Sequence, residues 1–118
     1  MRILVVQWDY PAARRRAAEL RDAGHDVAIE ANDGGAAYRK ARTDLPDVIV
    51  LDLAYRPTLT RQATRALNRL FGNRLLFVDG DEHVRDRVRR QAPQARFTTA
   101  DELVATLAEY RPPPYGEP

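Results

Sequence analysis

Three short, unbroken apolar runs constrain what this chain can fold into more than any other feature of its sequence. They occupy residues 3–6, 48–51 and 75–78, and each consists of four bulky apolar residues. A run without alternating polar residues is typical of a strand that is buried on both faces, as in a parallel sheet. We therefore expect these runs to be the central strands of one parallel sheet.

Weaker apolar patterns at residues 26–31 and 95–98 predict two edge strands. Helical spacing predicts helices over residues 11–23, 35–43, 59–71 and 81–92. Thr99 and Glu102 form a capping-box pattern that predicts the start of a last helix. Strands that alternate with helices imply parallel pairing and right-handed crossovers. The sequence thus predicts an α/β fold, a flavodoxin-like doubly wound five-stranded parallel sheet of order 2-1-3-4-5. The side chains that the last helix is expected to bury are Leu103, Val104, Leu107 and Tyr110.

The 118 residues fit a single domain, which we place at residues 1–111. A Pro-rich tail, residues 112–118, is expected to be extended or disordered. It contains a Pro-Pro-x-Tyr segment of the kind that WW modules bind, although four residues are a weak signal.

Composition limits the classes of site and of partner. The chain has no cysteine, which excludes disulfides and thiolate metal sites. No apolar run approaches the ~18 residues of a membrane span, and the first residues lack a signal-peptide pattern, so we expect a cytoplasmic protein. The 19 Lys and Arg residues against 17 Asp and Glu residues leave a net charge of only +2, which makes nucleic acid an unlikely partner.

Acidic side chains follow the predicted central strands where those strands end. Asp9, Asp52 and Asp79 are expected at the carboxyl ends, where ligands bind in sheets of this kind. Carboxylates repel one another unless a cation joins them, and their oxygens suit Mg²⁺, so Asp9 and Asp52 form a candidate metal site. The simpler interpretation is that these residues are solvated or cap helices, as we expect for Asp81. The other candidate cleft residues are Gln7, Trp8 and Thr98.

Two segments give the chain a resemblance to a known family. Residues 2–6 read Arg-Ile-Leu-Val-Val, and residues 46–53 read Pro-Asp-Val-Ile-Val-Leu-Asp-Leu. With the alternating strand and helix order, they resemble the receiver domain of two-component response regulators, such as the chemotaxis receiver, over about residues 2–110. The resemblance implies that Asp52 is the phosphoacceptor candidate and that Mg²⁺ is the cofactor.

Other positions depart from the receiver pattern. Receivers place two adjacent acids after the first strand, a Thr or Ser after the fourth, and a Lys followed by Pro after the fifth. Here these places hold Gln7 and Trp8, then Asp79, then Thr98 and Thr99. Phosphoryl transfer to a carboxylate needs cations around the phosphoryl oxygens, so phosphorylation of Asp52 is doubtful. The chain is therefore expected to be an atypical receiver, or pseudo-receiver.

These observations predict a stand-alone signalling domain that acts through contacts with a protein partner or with a second copy of itself, and that is not an enzyme. A homodimer through the predicted fourth helix is expected. That helix carries arginines at positions 85, 87, 89 and 90, which could meet an acidic partner or nucleic acid, or be only a solvated face. The arginines at 14–16 are interpreted as solvated. The alternative is a small Mg²⁺-dependent enzyme or ligand-binding domain that uses the strand-end carboxylates.

Overall fold

The fold is a five-stranded parallel sheet with helices on both faces. The computed structural model describes residues 1–54 and 59–116. The sheet has the order β2-β1-β3-β4-β5, and every neighbouring pair is parallel. The prediction of fold and strand order is therefore confirmed. In chain order, the elements are β1 (Arg2–Val6), α1 (Tyr10–Asp22), β2 (Asp26–Glu30), α2 (Gly34–Asp44), β3 (Val48–Asp52), α3 (Arg61–Phe71), a short 3₁₀ turn (Gly72–Arg74), β4 (Leu75–Val78), α4 (Glu82–Gln91), β5 (Arg96–Thr98) and α5 (Leu103–Glu109).

The three apolar runs are the central strands β1, β3 and β4, and the sheet is buried on both faces. All residues of β3 and β4 are buried. Alternate residues of β1 enter different core clusters: Ile3 packs with Leu20 of α1 and Leu107 of α5, whereas Leu4 packs with Leu67 of α3. This double burial is the reason that the runs carry no polar alternation.

Side-chain oxygens begin four of the helices. Asp9, Asp33, Thr60 and Asp81 each accept a hydrogen bond from the backbone N–H three residues later. The predicted bounds of these four helices are correct within about two residues, which is the usual uncertainty for helix ends. Asp81 has the capping role that its sequence position predicted.

The last helix begins later than its capping-box pattern predicted. The Thr99 hydroxyl accepts from the Glu102 N–H at 3.3 Å, but this bond closes a turn, and α5 itself starts at Leu103. Leu103, Leu107 and Tyr110 are buried as predicted. The prediction for Val104 was wrong, because 37% of this residue remains exposed.

The Pro-rich tail packs against the domain. Residues 112–116 form neither helix nor strand, and the Tyr115 ring lies 3.6 Å below the guanidinium carbon of buried Arg74. The Tyr115 hydroxyl donates to the carbonyl of Pro46, before β3. The tyrosine and the arginine thus connect these residues to the domain, and the expectation of an extended or disordered tail stays a prediction. The last two tail residues, 117 and 118, lie outside the described part of the chain.

Within residues 1–54 and 59–116, the longest helices are too short and too polar to cross a bilayer.

Candidate functional site

The candidate site lies at the carboxyl ends of β1, β3 and β4, where the strand order reverses. Gln7 directly follows β1, Asp52 is the last residue of β3, and Asp79 directly follows β4. Asp52 is paired in register with Val78, so the ends of β3 and β4 are level. This is the edge at which a doubly wound sheet binds its ligands.

Asp52 is a buried carboxylate, and an arginine neutralises it. The side chain of Asp52 is 3% exposed, and its Oδ2 lies 3.0 Å from Nη2 of Arg16. Its Oδ1 accepts from the N–H of Ala54 at 3.0 Å. Both carboxylate oxygens therefore have a donor from the protein itself. Arg16 is 12% exposed, and its Nη1 also lies 3.5 Å from Glu19.

Helix periodicity directs Arg16 into the site. Ala13, Ala17 and Leu20 are buried, and position 16 completes the spacing i, i+3, i+4, i+7 on the same face of α1. Arg14 and Arg15 are exposed, as expected for a solvated face. The same expectation was wrong for Arg16, which is the residue of the candidate site that sequence reasoning missed. Its position within the apolar period was the signal that could have revealed it.

Asp9 and Gln7 support the first loop. Asp9 Oδ2 caps α1 by accepting from the Ala12 N–H at 3.0 Å. The Asp9 N–H donates to Oε1 of Gln7 at 2.9 Å. Gln7 is fully buried, and its Nε2 has no hydrogen-bond partner among the described residues. Trp8 is half-buried against the core beneath α2 and α3. Asp9 thus caps α1 as the simpler interpretation proposed, but only through its Oδ2 atom.

The hydrogen bonds of the Asp79 N–H and carboxylate go to residues at the end of β5 and just after it, and none goes to Asp52 among the described residues. Its backbone has φ of 60°, a left-handed conformation that is uncommon outside glycine, and its N–H donates to the Thr98 carbonyl. Its Oδ1 accepts from the N–H of Ala100 at 3.0 Å. A proline at position 100 would have no such N–H. The Thr98 hydroxyl is engaged with that of Thr106 at 3.0 Å.

The donor set at this edge does not fit Mg²⁺ as it stands. Among the described residues, no three histidine, cysteine or acidic side chains are grouped so that they could hold a metal ion. Arg16 donates a hydrogen bond to Oδ2 of Asp52, and one carboxylate oxygen of Asp9 accepts from the first turn of α1. The Mg²⁺ site predicted at Asp9 and Asp52 stays a prediction, and it would require Arg16 to move away from Asp52.

Comparison with known proteins gives structural neighbours only. No protein-family model and no curated sequence matches the chain. A two-component response regulator of the LuxR family from Aurantimonas sp. SI85-9A1 is 29% identical, with a TM-score of 0.63 over 92% of this chain and 79% of that one. Chemotaxis protein CheY4 of Vibrio cholerae is 19% identical, with a TM-score of 0.73 over 91% of this chain and 95% of that one.

A third neighbour was solved with bound ligands. It is the response regulator TrrA of Thermotoga maritima in complex with Mg²⁺ and BeF, which is 20% identical, with a TM-score of 0.72 over 92% of this chain and 96% of that one. These neighbours establish that the chain has the fold of response-regulator receiver domains. They do not transfer the ligands of those proteins to this site.

Proposed function

We propose that this chain is an atypical receiver-like signalling domain that acts by contact with other proteins and without a phosphorylation switch. It has no catalytic activity of its own. The observation that carries the proposal is the buried ion pair between Arg16 and Asp52, at the position where the receiver resemblance puts the phosphoacceptor.

The chemistry of phosphoryl transfer explains why this pair matters. The attacking carboxylate oxygen must be accessible, and cations must surround the transferred group. Here Asp52 is buried, and both of its carboxylate oxygens accept hydrogen bonds. In this structure Arg16 supplies the positive charge that Mg²⁺ supplies in an ordinary receiver.

The residues that would transmit a phosphorylation signal also have other partners. In an ordinary receiver, the phosphoryl group attracts a hydroxyl after β4 and a lysine after β5. At these places Asp79 is bonded to the backbone of Ala100, and the Thr99 hydroxyl caps the turn before α5. A ligand shifts an equilibrium only by its differential affinity for two states, so a phosphoryl group would have to compete with these contacts to favour a second state.

The output of such a domain is a surface held in one conformation. We propose that α4 and its neighbours form this surface and bind a protein partner or a second copy of the chain. Light scattering over a range of concentrations tests the second possibility, since a homodimer would dissociate on dilution, whereas a chain that stays monomeric at high concentration contradicts it.

An NMR titration with Mg²⁺ and then beryllofluoride tests the proposed function. We expect small shifts, confined to the loops around Asp9 and Asp52. The matched control is Asp52→Asn, which should give the same spectra with and without beryllofluoride. Large shifts through α4 and β5 that disappear in Asp52→Asn would overturn the proposal, because they would demonstrate a working phosphorylation switch.

A further inference from the structure

An open groove lies between α3 and α4, beside the candidate site. Its volume is about 510 Å³, which is within the usual range of ligand-binding clefts. Its apolar lining comes from Leu53 after β3, Leu59 before α3, and Val84 and Val88 of α4. Val84 and Val88 are only half-buried, and no residue of α4 is fully buried. Among the described residues, the groove-facing side of this helix is therefore incompletely covered.

Three arginines, Arg61, Arg87 and Arg90, line the same groove, and all three are exposed. None of the described residues that line the groove is acidic. Within residues 1–54 and 59–116, these three guanidinium groups form no ion pair. The groove thus combines apolar contacts with several positive charges.

The other charges of α4 lie on a different side of the helix. Arg89 pairs with Asp86 at 2.6 Å and with Glu82 at 3.5 Å, so the acidic residues of α4 neutralise this arginine. Arg85 and Arg89 also lie over the Phe97 ring of β5, at 5.9 and 4.8 Å from its centroid. The helix therefore separates a self-neutralised side that faces β5 from an uncompensated side that faces α3.

We propose that the groove between α3 and α4 binds an acidic, amphipathic peptide segment of a partner protein. Its aliphatic side chains would cover Val84 and Val88, and its carboxylates would pair with Arg87 and Arg90. This inference deepens the proposed function, on which it rests for the role of protein contacts, by naming the surface and the chemistry of the partner.

A peptide fits this groove better than nucleic acid does. Single-stranded nucleic acid is usually held by aromatic rings on which its bases stack, and none of the described residues that line the groove is aromatic. The net charge of +2 also gives the chain little general attraction for a phosphate backbone. Aliphatic contacts with a charged rim are the pattern of a helix bound in a groove.

The test is selection from a phage library of random peptides of about 16 residues, which as helices would span about 24 Å. The full chain is the target. We expect the selected peptides to be enriched in Asp, Glu and large aliphatic residues. Fluorescence anisotropy with a selected peptide should show affinity that falls as salt is added.

Charge reversal then locates the binding site. The Arg87→Glu/Arg90→Glu variant should weaken binding by roughly tenfold or more, because it replaces attraction with repulsion. The matched control, Arg14→Glu/Arg15→Glu, makes the same charge change on the exposed side of α1 and should alter affinity by less than about twofold.

Several outcomes would overturn the inference. They are the absence of selected peptides, selection of neutral or basic peptides, and equal loss of binding in both charge-reversal variants. Tight binding of a dT oligonucleotide that depends on Arg87 and Arg90 would assign the groove to nucleic acid instead. A dimer that Arg87→Glu/Arg90→Glu dissociates would assign it to a second copy of the chain. None of these outcomes changes the result of the beryllofluoride titration at Asp52. The peptide proposal can therefore be refuted without refuting the proposed function.

Discussion

Replacing Asp52 by Asn is expected to destabilise the protein by about 2–3 kcal/mol. At 3.0 Å and an effective dielectric constant of about 20, the attraction between Arg16 and Asp52 is about 5–6 kcal/mol before desolvation is subtracted. Removing one partner of a buried pair typically costs about 3–5 kcal/mol. We expect a value at or just below the lower limit of that range, because Glu19 remains 3.5 Å from Arg16 and because Arg16 keeps 12% exposure.

The sign of this change distinguishes two descriptions of the site. If Asp9, Asp52 and Asp79 formed a cluster of repelling carboxylates that awaits a metal ion, neutralising Asp52 would relieve the repulsion and stabilise the fold. If Arg16 already neutralises Asp52, the same change leaves a buried guanidinium without its main partner and destabilises the fold.

A double-mutant cycle isolates the pair itself. Arg16→Met alone leaves the Asp52 carboxylate buried with one N–H donor, and we expect a loss of about 3 kcal/mol. In Arg16→Met/Asp52→Asn neither charge remains. The loss of stability in the double variant should therefore be smaller than the sum of the two single losses by about 2 kcal/mol.

Urea unfolding gives the free energies of unfolding. Trp8, the single tryptophan, is half-buried beside the site and reports through its fluorescence, and circular dichroism checks that the transition is two-state. Asp26→Asn is the control, since Asp26 is exposed and its change should stay within about 0.5 kcal/mol. An Asp52→Asn variant that is more stable than the parent, or a coupling energy below about 0.5 kcal/mol, would refute the reasoning.

Three further expectations concern the metal, pH and a loop. Arg16→Met should raise the affinity for Mg²⁺ by roughly tenfold in calorimetric titration, because it removes the cation that competes for the carboxylate, and unchanged affinity would contradict this. Burial and the N-terminal ammonium, 3.2 Å away, lower the pKa of His25 from 6.5. The contribution of His25 to the free energy of unfolding is therefore present above pH 6.5 and is lost as pH falls through the lowered pKa. This part of the pH dependence of urea midpoints should vanish in His25→Gln. Gly80→Ala should cost about 1–3 kcal/mol, since φ is +85° and a Cβ would lie 3.0 Å from Leu53, and it should cost more than Gly24→Ala, where φ is +96° but nothing lies within 4 Å.

The sheet was predictable because its signal is local in the sequence. A strand buried on both faces must be apolar along its length. In β1, β3 and β4 the only polar residues are Arg2, at the exposed start of β1, and Asp52, at the end of β3. The alternation with helices then gave parallel pairing, and 2-1-3-4-5 is one of the common strand orders of such sheets. These inferences need no knowledge of individual side-chain contacts.

The partners of the site residues were less predictable. The pair of Arg16 and Asp52 joins residues 36 positions apart, and only the position of Arg16 within the apolar period of α1 hinted at it. The bond from Ala100 to Asp79 depends on a left-handed backbone at Asp79, which no residue pattern in the loop specifies. The sequence could identify which residues depart from the receiver pattern, but not what they do instead.

The contacts of the Pro-rich tail can be tested one at a time, because the ring and the hydroxyl of Tyr115 contact different groups. The Tyr115 ring covers buried Arg74, whose guanidinium also donates to the carbonyls of Pro113 and Asp47, and the Tyr115 hydroxyl donates to Pro46. Burial raises the pKa of Tyr115 above 10.0, so the hydroxyl stays a donor at neutral pH. Tyr115→Phe keeps the ring and should lose only the hydrogen bond, about 1 kcal/mol in urea unfolding. Tyr115→Ala also removes the cation–π contact and the apolar cover, and should lose about 3 kcal/mol in total. Equal stability of the parent, Tyr115→Phe and Tyr115→Ala would mean that the tail only rests on the domain, and the Pro-Pro-x-Tyr segment would again be a candidate ligand for a partner.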